Sequence, residues 1–207
     1  MFSDFCGVRT QVLPEGRLEL GASVVTIGAF DGMHLGHQAL VRRMVAEARA
    51  LGLPSVVWTF DPPPRVFFTG VQQLSTLDEK LVRMATIGPD HIVVASFTET
   101  YRQRSAEDFI EGLRRIGPAR ILVGADFRFG AQQTGDVELL ARHFDVKVFD
   151  PVRCPDSEVV SSSRIRRLRR EGRRDLADLI HGCPDATALV AGWMLLDQSP
   201  LWEEFHA

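Results

Sequence analysis

The sequence predicts an α/β fold of three layers, a parallel sheet with helices on both faces. Two patterns carry that expectation. Short β-branched runs, apolar nearly throughout, alternate with longer amphipathic ones, as strands covered on both faces and their crossover helices must. Glycines at 52, 88 and 117 fall just past three of the amphipathic runs, where a left-handed residue ends a helix.

In chain order, SVVTIGA (23–29), SVVWTF (55–60), HIVVASF (91–97), RILVGA (120–125) and VKVFD (146–150) read as strands. Helical periodicity occupies about 35–51, 77–87, 105–115 and 136–143. The third helix opens with Ser105-Ala106-Glu107-Asp108, in which Ser105 can accept from orphan backbone donors as in a capping box. After residue 161 the pattern is helical only, first SSSRIRRLRREG and then RRDLADLIHG. No repeat and no low-complexity segment interrupts the alternation.

Composition narrows the class. The chain has 207 residues with 45% hydrophobic and 25% charged residues, ordinary for a water-soluble globular domain. A net charge of −3 gives no electrostatic argument for nucleic acid or an anionic membrane as partner. Cys6, Cys154 and Cys183 are odd in number and widely spaced, so neither a disulfide framework nor a metal-ligand pattern is expected. The N-terminus lacks the basic start and apolar run of a signal peptide, and no stretch reaches the roughly 18 apolar residues of a membrane span. The expected setting is cytoplasmic.

Chemistry concentrates in two motifs. GAFDGMHLGH follows the first strong strand, at the carboxyl end where parallel sheets bind ligands. Gly28, Gly32 and Gly36 allow close backbone approach, and the N–H groups of the following helix favour an anion. His34 and His37, three apart, share a helical face. Two imidazoles at such a helix start suggest a polyphosphate site; a zinc pair is the other reading, but spacing supplies no third ligand. The glycines fit neither the GxGxxG fingerprint nor a P-loop. The second motif is VVSSSRIRRL at 159–168. Its Ser162, Ser163 and Arg166 offer hydroxyls and a guanidinium fork suited to phosphate oxygens. Arg169, Arg170, Arg173 and Arg174 read as a solvated basic face.

Five blocks in order, IGAFDGMHLGHQ (27–38), TFDPPPR (59–65), LSTLDEK (74–80), VGADFRFG (123–130) with Gly135-Asp136, and VSSSRIR (160–166), resemble the adenylyltransferase module of bacterial FAD synthetases, the riboflavin kinase/FMN adenylyltransferases. The likeness runs over about residues 15 to 184. It implies a Rossmann-like fold of the nucleotidyltransferase type and transfer of AMP from ATP to FMN with release of pyrophosphate.

By that resemblance His34, His37 and Arg166 are catalytic. Gly28, Phe30, Asp31, Gly32, Gly36, Asp126, Ser162 and Ser163 bind ATP, and the TFDPPPR stretch (59–65), Asp61 and Pro62 foremost, borders the flavin with Phe127 close by, while Phe129 is expected in the core. Mg²⁺ would travel mainly on ATP, with no metal site on the protein. Two departures stand out: Ser163 replaces the family's usual Thr, and Pro63 stands where the family usually has His. Pro63 leaves open a nucleotidyltransferase with another phosphomonoester acceptor, and a non-catalytic nucleotide- or flavin-binding paralogue is the reading from a different class. The expected organisation is one domain over residues 1–184 and a short tail over 185–207, with no riboflavin kinase module. Oligomeric state is not legible.

Overall fold

A computed structural model describes residues 2–5, 8–154 and 157–182. The tail expected over 185–207 lies outside the described residues, as do Cys6 and Cys183.

Seven strands form the main sheet: β1 (Phe2–Phe5), β2 (Val8–Pro14), β3 (Ser23–Ile27), β4 (Ser55–Asp61), β5 (His91–Ser96), β6 (Pro118–Gly124) and β9 (Val146–Phe149). Two short strands, β7 (Arg128–Phe129) and β8 (Gly135–Asp136), pair with each other outside it. The order across the main sheet is β1-β2-β5-β4-β3-β6-β9. Its pairings are parallel except β1 with β2. The five expected strands are the centre and one edge of this sheet. β1 and β2, on the other edge, were not expected, because VRTQVLP lacks the continuous apolar run of a strand buried on both faces.

The helices are α1 (Leu35–Leu51), α2 (Pro64–Thr69), α3 (Leu77–Ala85), α4 (Ala106–Arg114), α5 (Val137–Ala141), α6 (Ser162–Arg170) and α7 (Arg174–His181). Alternation along each strand divides the core. Val24, Val57, Ile92 and Leu122 face α1 and α3. Val25, Trp58, Val93 and Ile121 point the opposite way and pack with Phe109, Ile110 and Leu113 of α4. The expected three layers are therefore present. A third cluster joins Ile165 and Leu168 of α6 to Ala177 and Ile180 of α7, with Leu35 and Leu74 packed against it. It brings the C-terminal helix pair onto the start of α1.

Local chemistry sets the helix ends. Thr76 with Glu79, and Ser105 with Asp108, form complete capping boxes. Gly52 ends α1 in left-handed conformation at φ 64°. α2 was not expected: it opens on Pro64 at its first turn, and none of its residues is buried, so no apolar stripe marks it.

Leu113 is fully buried between α4 and the sheet, whereas Leu179 of α7 is 68% exposed. Leu113→Ala is expected to lower unfolding stability by about 2–5 kcal/mol, and Leu179→Ala by less than about 0.5 kcal/mol. Denaturant titration of both variants checks this; equal effects would mean that α4 does not pack on the sheet as described.

Candidate active site

β3, beside the central strand β4, ends at Ile27, and the residues up to His34 carry the chain from the sheet into α1. That loop is wound tightly: Phe30, Gly32 and Met33 have φ of 49°, 81° and 45°. Left-handed backbone costs a residue bearing Cβ on the order of 1–3 kcal/mol. Burial offsets the cost, since the Phe30 and Met33 side chains lie in the core under α1. At position 32 glycine is required, because a Cβ would stand 2.9 Å from both Leu74 Cβ and His181 Nε2.

Backbone and buried cations pin the same loop. The Gly32 N–H donates to Ser75 Oγ at 3.1 Å, and Arg83 Nη1 donates to the Gly32 carbonyl at 2.7 Å. Lys80, one turn earlier on α3 and fully buried, donates from Nζ to the Phe60 carbonyl at 2.6 Å, fixing the end of β4. Burial pushes the Lys80 ammonium down to about 8, against the pull of Asp61 and Asp31.

His34 is the N-cap of α1. Its Nδ1 accepts from the His37 N–H at 3.3 Å, so in the neutral ring the proton sits on Nε2. The two imidazoles stack, with centroids 3.5 Å apart and planes at 19°. Burial, followed by the charge of His181, drives His34 down to about 4. Burial, then His34, Lys80 and His181, holds His37 well below its ordinary value. At neutral pH both rings are therefore uncharged N–H donors. His37 Nδ1 is buried without a hydrogen-bond partner. Gly36 lets α1 approach the strand-like segment before α6: a Cβ there would meet the His34 ring at 3.2 Å and the Val160 carbonyl at 3.3 Å.

Asp31 joins this loop to the rest of the site. Its Oδ1 accepts from the Leu74 N–H at 2.9 Å, its Oδ2 accepts from Arg166 Nη2, and its carbonyl accepts from Ser162 Oγ at 2.9 Å. Arg166 Nε donates to the Gln72 carbonyl at 2.8 Å, while its Nη1 is buried without a partner. Ser161, not Ser162 or Ser163, caps α6 by accepting from the Arg164 N–H. Arg166 was expected to serve phosphates alone. Its ties to Asp31 and Gln72 make it a structural cross-link as well.

A cavity of about 580 Å³ opens where α1 and α6 begin, at the carboxyl ends of the sheet strands. Asp31, His34, Gly36, His37, Asp126, Ser162, Ser163 and Arg166 line it, so eight of the expected site residues share one wall system. Gly28, Phe30 and Gly32 lie behind it as support; a Cβ on Gly28 would strike the Phe30 ring at 3.0 Å. Two helix N-termini and the Arg166 guanidinium make this cavity favourable to an anion. Among the described residues no three His, Cys, Asp or Glu side chains cluster as metal ligands.

A second cavity, of about 910 Å³, adjoins the first and is walled by Phe60, Phe68, Phe97, Tyr101, Phe109 and Phe129, with four arginines at its sides. Asp61, Pro62 and Phe127 line neither cavity. Asp61 is taken up by the sheet, where its carbonyl accepts from the Phe97 N–H at 2.7 Å. The Phe127 ring stacks on Phe129 at 5.6 Å and packs against the core. Pro64 and Arg65 of the TFDPPPR stretch line the aromatic cavity, whereas Phe68, Phe97, Tyr101 and Phe109 are wall residues that sequence reasoning missed. Tyr101 sits outside every motif, and only its being the single tyrosine of the chain could have drawn notice. Phe129 is buried as expected, though it also reaches the cavity.

The sequence profile of the FAD synthetase family matches residues 17–164. The chain is 48% identical over 167 residues to a protein of Geobacillus thermodenitrificans (strain NG80-2) named putative bifunctional riboflavin kinase/FMN adenylyltransferase, covering 81% of this chain and 93% of that one. It is 32% identical to the bifunctional riboflavin kinase/FMN adenylyltransferase of Listeria monocytogenes and 33% to that of Escherichia coli K12, in each case over 79% of this chain and 55% of the relative. The chain thus spans about half the length of those two proteins. Among solved structures, one described as a macrolide-efflux protein from Streptococcus pneumoniae superposes with a TM-score of 0.72 at 26% identity, over 86% of this chain and 62% of that one. The chain belongs to the FAD synthetase family, a family of enzymes.

His34, His37 and His181 all bind protons less readily in the folded protein than in the unfolded chain. His181 is held at about 4 by burial, then by Arg83 and Arg169. Because the unfolded chain takes up protons first, stability is full above about pH 6.5 and falls as pH drops towards 4. At pH 5, His34 and His181 should each contribute a loss on the order of 1–2 kcal/mol. Denaturant midpoints at pH 7.5 and pH 5 measure it; equal midpoints would contradict neutral buried imidazoles.

Proposed function

We propose that this chain, as a member of the FAD synthetase family, transfers AMP from ATP to FMN, giving FAD and pyrophosphate. The observation that carries this reading is the adjacency of two unlike cavities, one built for phosphate and one walled by aromatic rings. The first would hold the ATP phosphates and the second the isoalloxazine ring of FMN, which stacks favourably on aromatic edges and faces. Residues 1–184 would constitute this adenylyltransferase unit.

The FMN phosphate has its second pKa near 6, so at pH 7 it is already largely dianionic and needs no general base. One of its oxygens attacks the α-phosphorus of ATP, the new P–O bond forms, and the bond to the bridging oxygen of the β-phosphate breaks. Pyrophosphate leaves with the electron pair. Two anions must be brought together, and charge must be stabilised on the α-phosphoryl oxygens, so catalysis rests on positioning and electrostatics.

In this scheme His34 donates from Nε2 to a phosphoryl oxygen, its tautomer set by the His37 N–H on Nδ1. His37 supplies a second imidazole donor stacked beside the first. Neutral donors suit the empty site, since two imidazolium ions 3.5 Å apart would repel; a bound polyphosphate would raise the proton affinity of both. Arg166, whose Nη1 lacks a protein partner, would turn that N–H towards the outer phosphates. Mg²⁺ would enter on ATP as part of the substrate. The cavity carboxylates fit that role: Asp31 is engaged by Arg166 and Leu74, leaving the exposed Asp126 and Asp150 as the side chains able to touch the ion's water shell.

Incubation with ATP, Mg²⁺ and FMN should release pyrophosphate and form FAD in equal amounts. His34→Ala and His37→Ala should each lower kcat by about 10²–10³, the loss typical of one preorganised donor. ATP affinity should suffer less, because both helix N-termini remain. Pyrophosphate release without FAD, or normal turnover in either variant, would contradict the assignment.

A further inference from the structure

Reaction between the two proposed substrates requires that the acceptor's phosphate leave the aromatic cavity and enter the phosphate cavity. Among the described residues only Ala29 and Arg65 line both. Ala29 is apolar, so the boundary between the cavities carries a single charge, the Arg65 guanidinium.

That guanidinium differs from the other arginines of the aromatic cavity. Arg104 pairs with Glu15 and also donates to the Asp108 carbonyl, and Arg102 pairs with Glu99 at 2.6 Å. Arg128 donates to the Phe127 carbonyl at 2.9 Å and does not line the phosphate cavity. Arg65 reaches across to α6 and donates from Nη1 to Ser163 Oγ at 2.5 Å, a neutral hydroxyl. Among the described residues no carboxylate neutralises it. A cation paired only with a hydroxyl, on a helix that buries none of its residues, is held in place at little cost to exchanging that partner for an anion.

We propose that Arg65 is the side chain that receives the phosphate of the acceptor and seats it against the nucleotide. The inference rests on FMN being the acceptor. A phosphate monoester presents two or three oxygens to a guanidinium fork, and a bidentate contact would fix which oxygen faces the α-phosphorus. Ser163, released by Arg65, would be able to turn its hydroxyl to the same phosphate group. Arg65 also meets the central difficulty of the reaction, since a cation standing between two polyanions lowers their repulsion. Pro63, two residues earlier, can provide no such charge.

The test compares FMN with riboflavin, which shares the ring but lacks the phosphate, by flavin fluorescence and calorimetry on the full chain. Wild type should bind FMN more tightly than riboflavin. Arg65→Gln should weaken FMN about 10- to 100-fold, the range for loss of a charged hydrogen bond, and leave riboflavin within about twofold. Arg65→Lys should restore part of the FMN affinity. In steady state Arg65→Gln should raise the KM for FMN and leave that for ATP nearly unchanged. Unchanged FMN affinity in Arg65→Gln, or an equal loss for both flavins, would overturn the role of Arg65 and leave the FMN reading intact. Wild type that binds neither flavin would instead overturn the acceptor reading and this inference with it.

Discussion

The site depends on one carboxylate. Asp31 belongs to the loop after β3, yet its partners come from the 72–75 segment and from α6. Removing the carboxylate would break its ties to Leu74 and Arg166 and loosen three segments that are far apart in sequence. The bond from Ser162 to the Asp31 backbone and the Gly32–Ser75 and Arg166–Gln72 contacts would remain. The buried Asp31–Arg166 pair is not to be judged by its net contribution to folding, which for such pairs is small or unfavourable against an apolar replacement. Its consequence is geometric: it sets the N-terminus of α6 opposite that of α1, so that hydroxyls, imidazoles and helix ends face one cavity.

A second constraint is that positive charge is built beneath this cavity without protonating its histidines. Lys80 and Arg83 of α3 are buried and donate to backbone carbonyls at the end of β4 and in the loop after β3. Together with burial they hold the nearby imidazoles neutral, Lys80 acting on His37 and Arg83 on His181. A neutral ring with a fixed tautomer is a directional donor that carries no charge penalty while the site is empty. The left-handed backbone at Phe30 and Met33 belongs to the same arrangement, being the bend that lets His34 cap α1 and still face the cavity.

What the sequence disclosed follows from how local each feature is. The five expected strands and the long helices were legible because their apolar pattern depends on neighbours in the chain, although β9, expected to be covered on both faces, is an edge strand with no buried residue. The strand VRTQVLP, second from the edge, and the short helix PRVFFT were not, since neither carries a full apolar pattern. Among site residues, His34, His37, Ser162 and Arg166 were legible within short motifs. Asp31 was named as an ATP contact, but its role as a cross-link depends on Arg166, 135 positions away. Arg65 stood in a motif expected to border the flavin but without a role of its own, because that role arises only when α2 and α6 meet. Asp61, Pro62 and Phe127 were named for the acceptor by analogy of motif and line neither cavity; Phe60, Pro64, Arg65 and Phe129, from the same two motifs, wall the aromatic cavity.

The claim that Asp31 organises the site is open to a direct measurement. Amide hydrogen exchange in Asp31→Ala should quicken at residues 72–75 and across the first turn of α6, with exchange in β3, β4 and the middle of α1 unchanged. ATP affinity measured on the same sample should fall. Wild-type protection of α6 in Asp31→Ala would show that the helix is held by its own packing against α7, and would contradict the account.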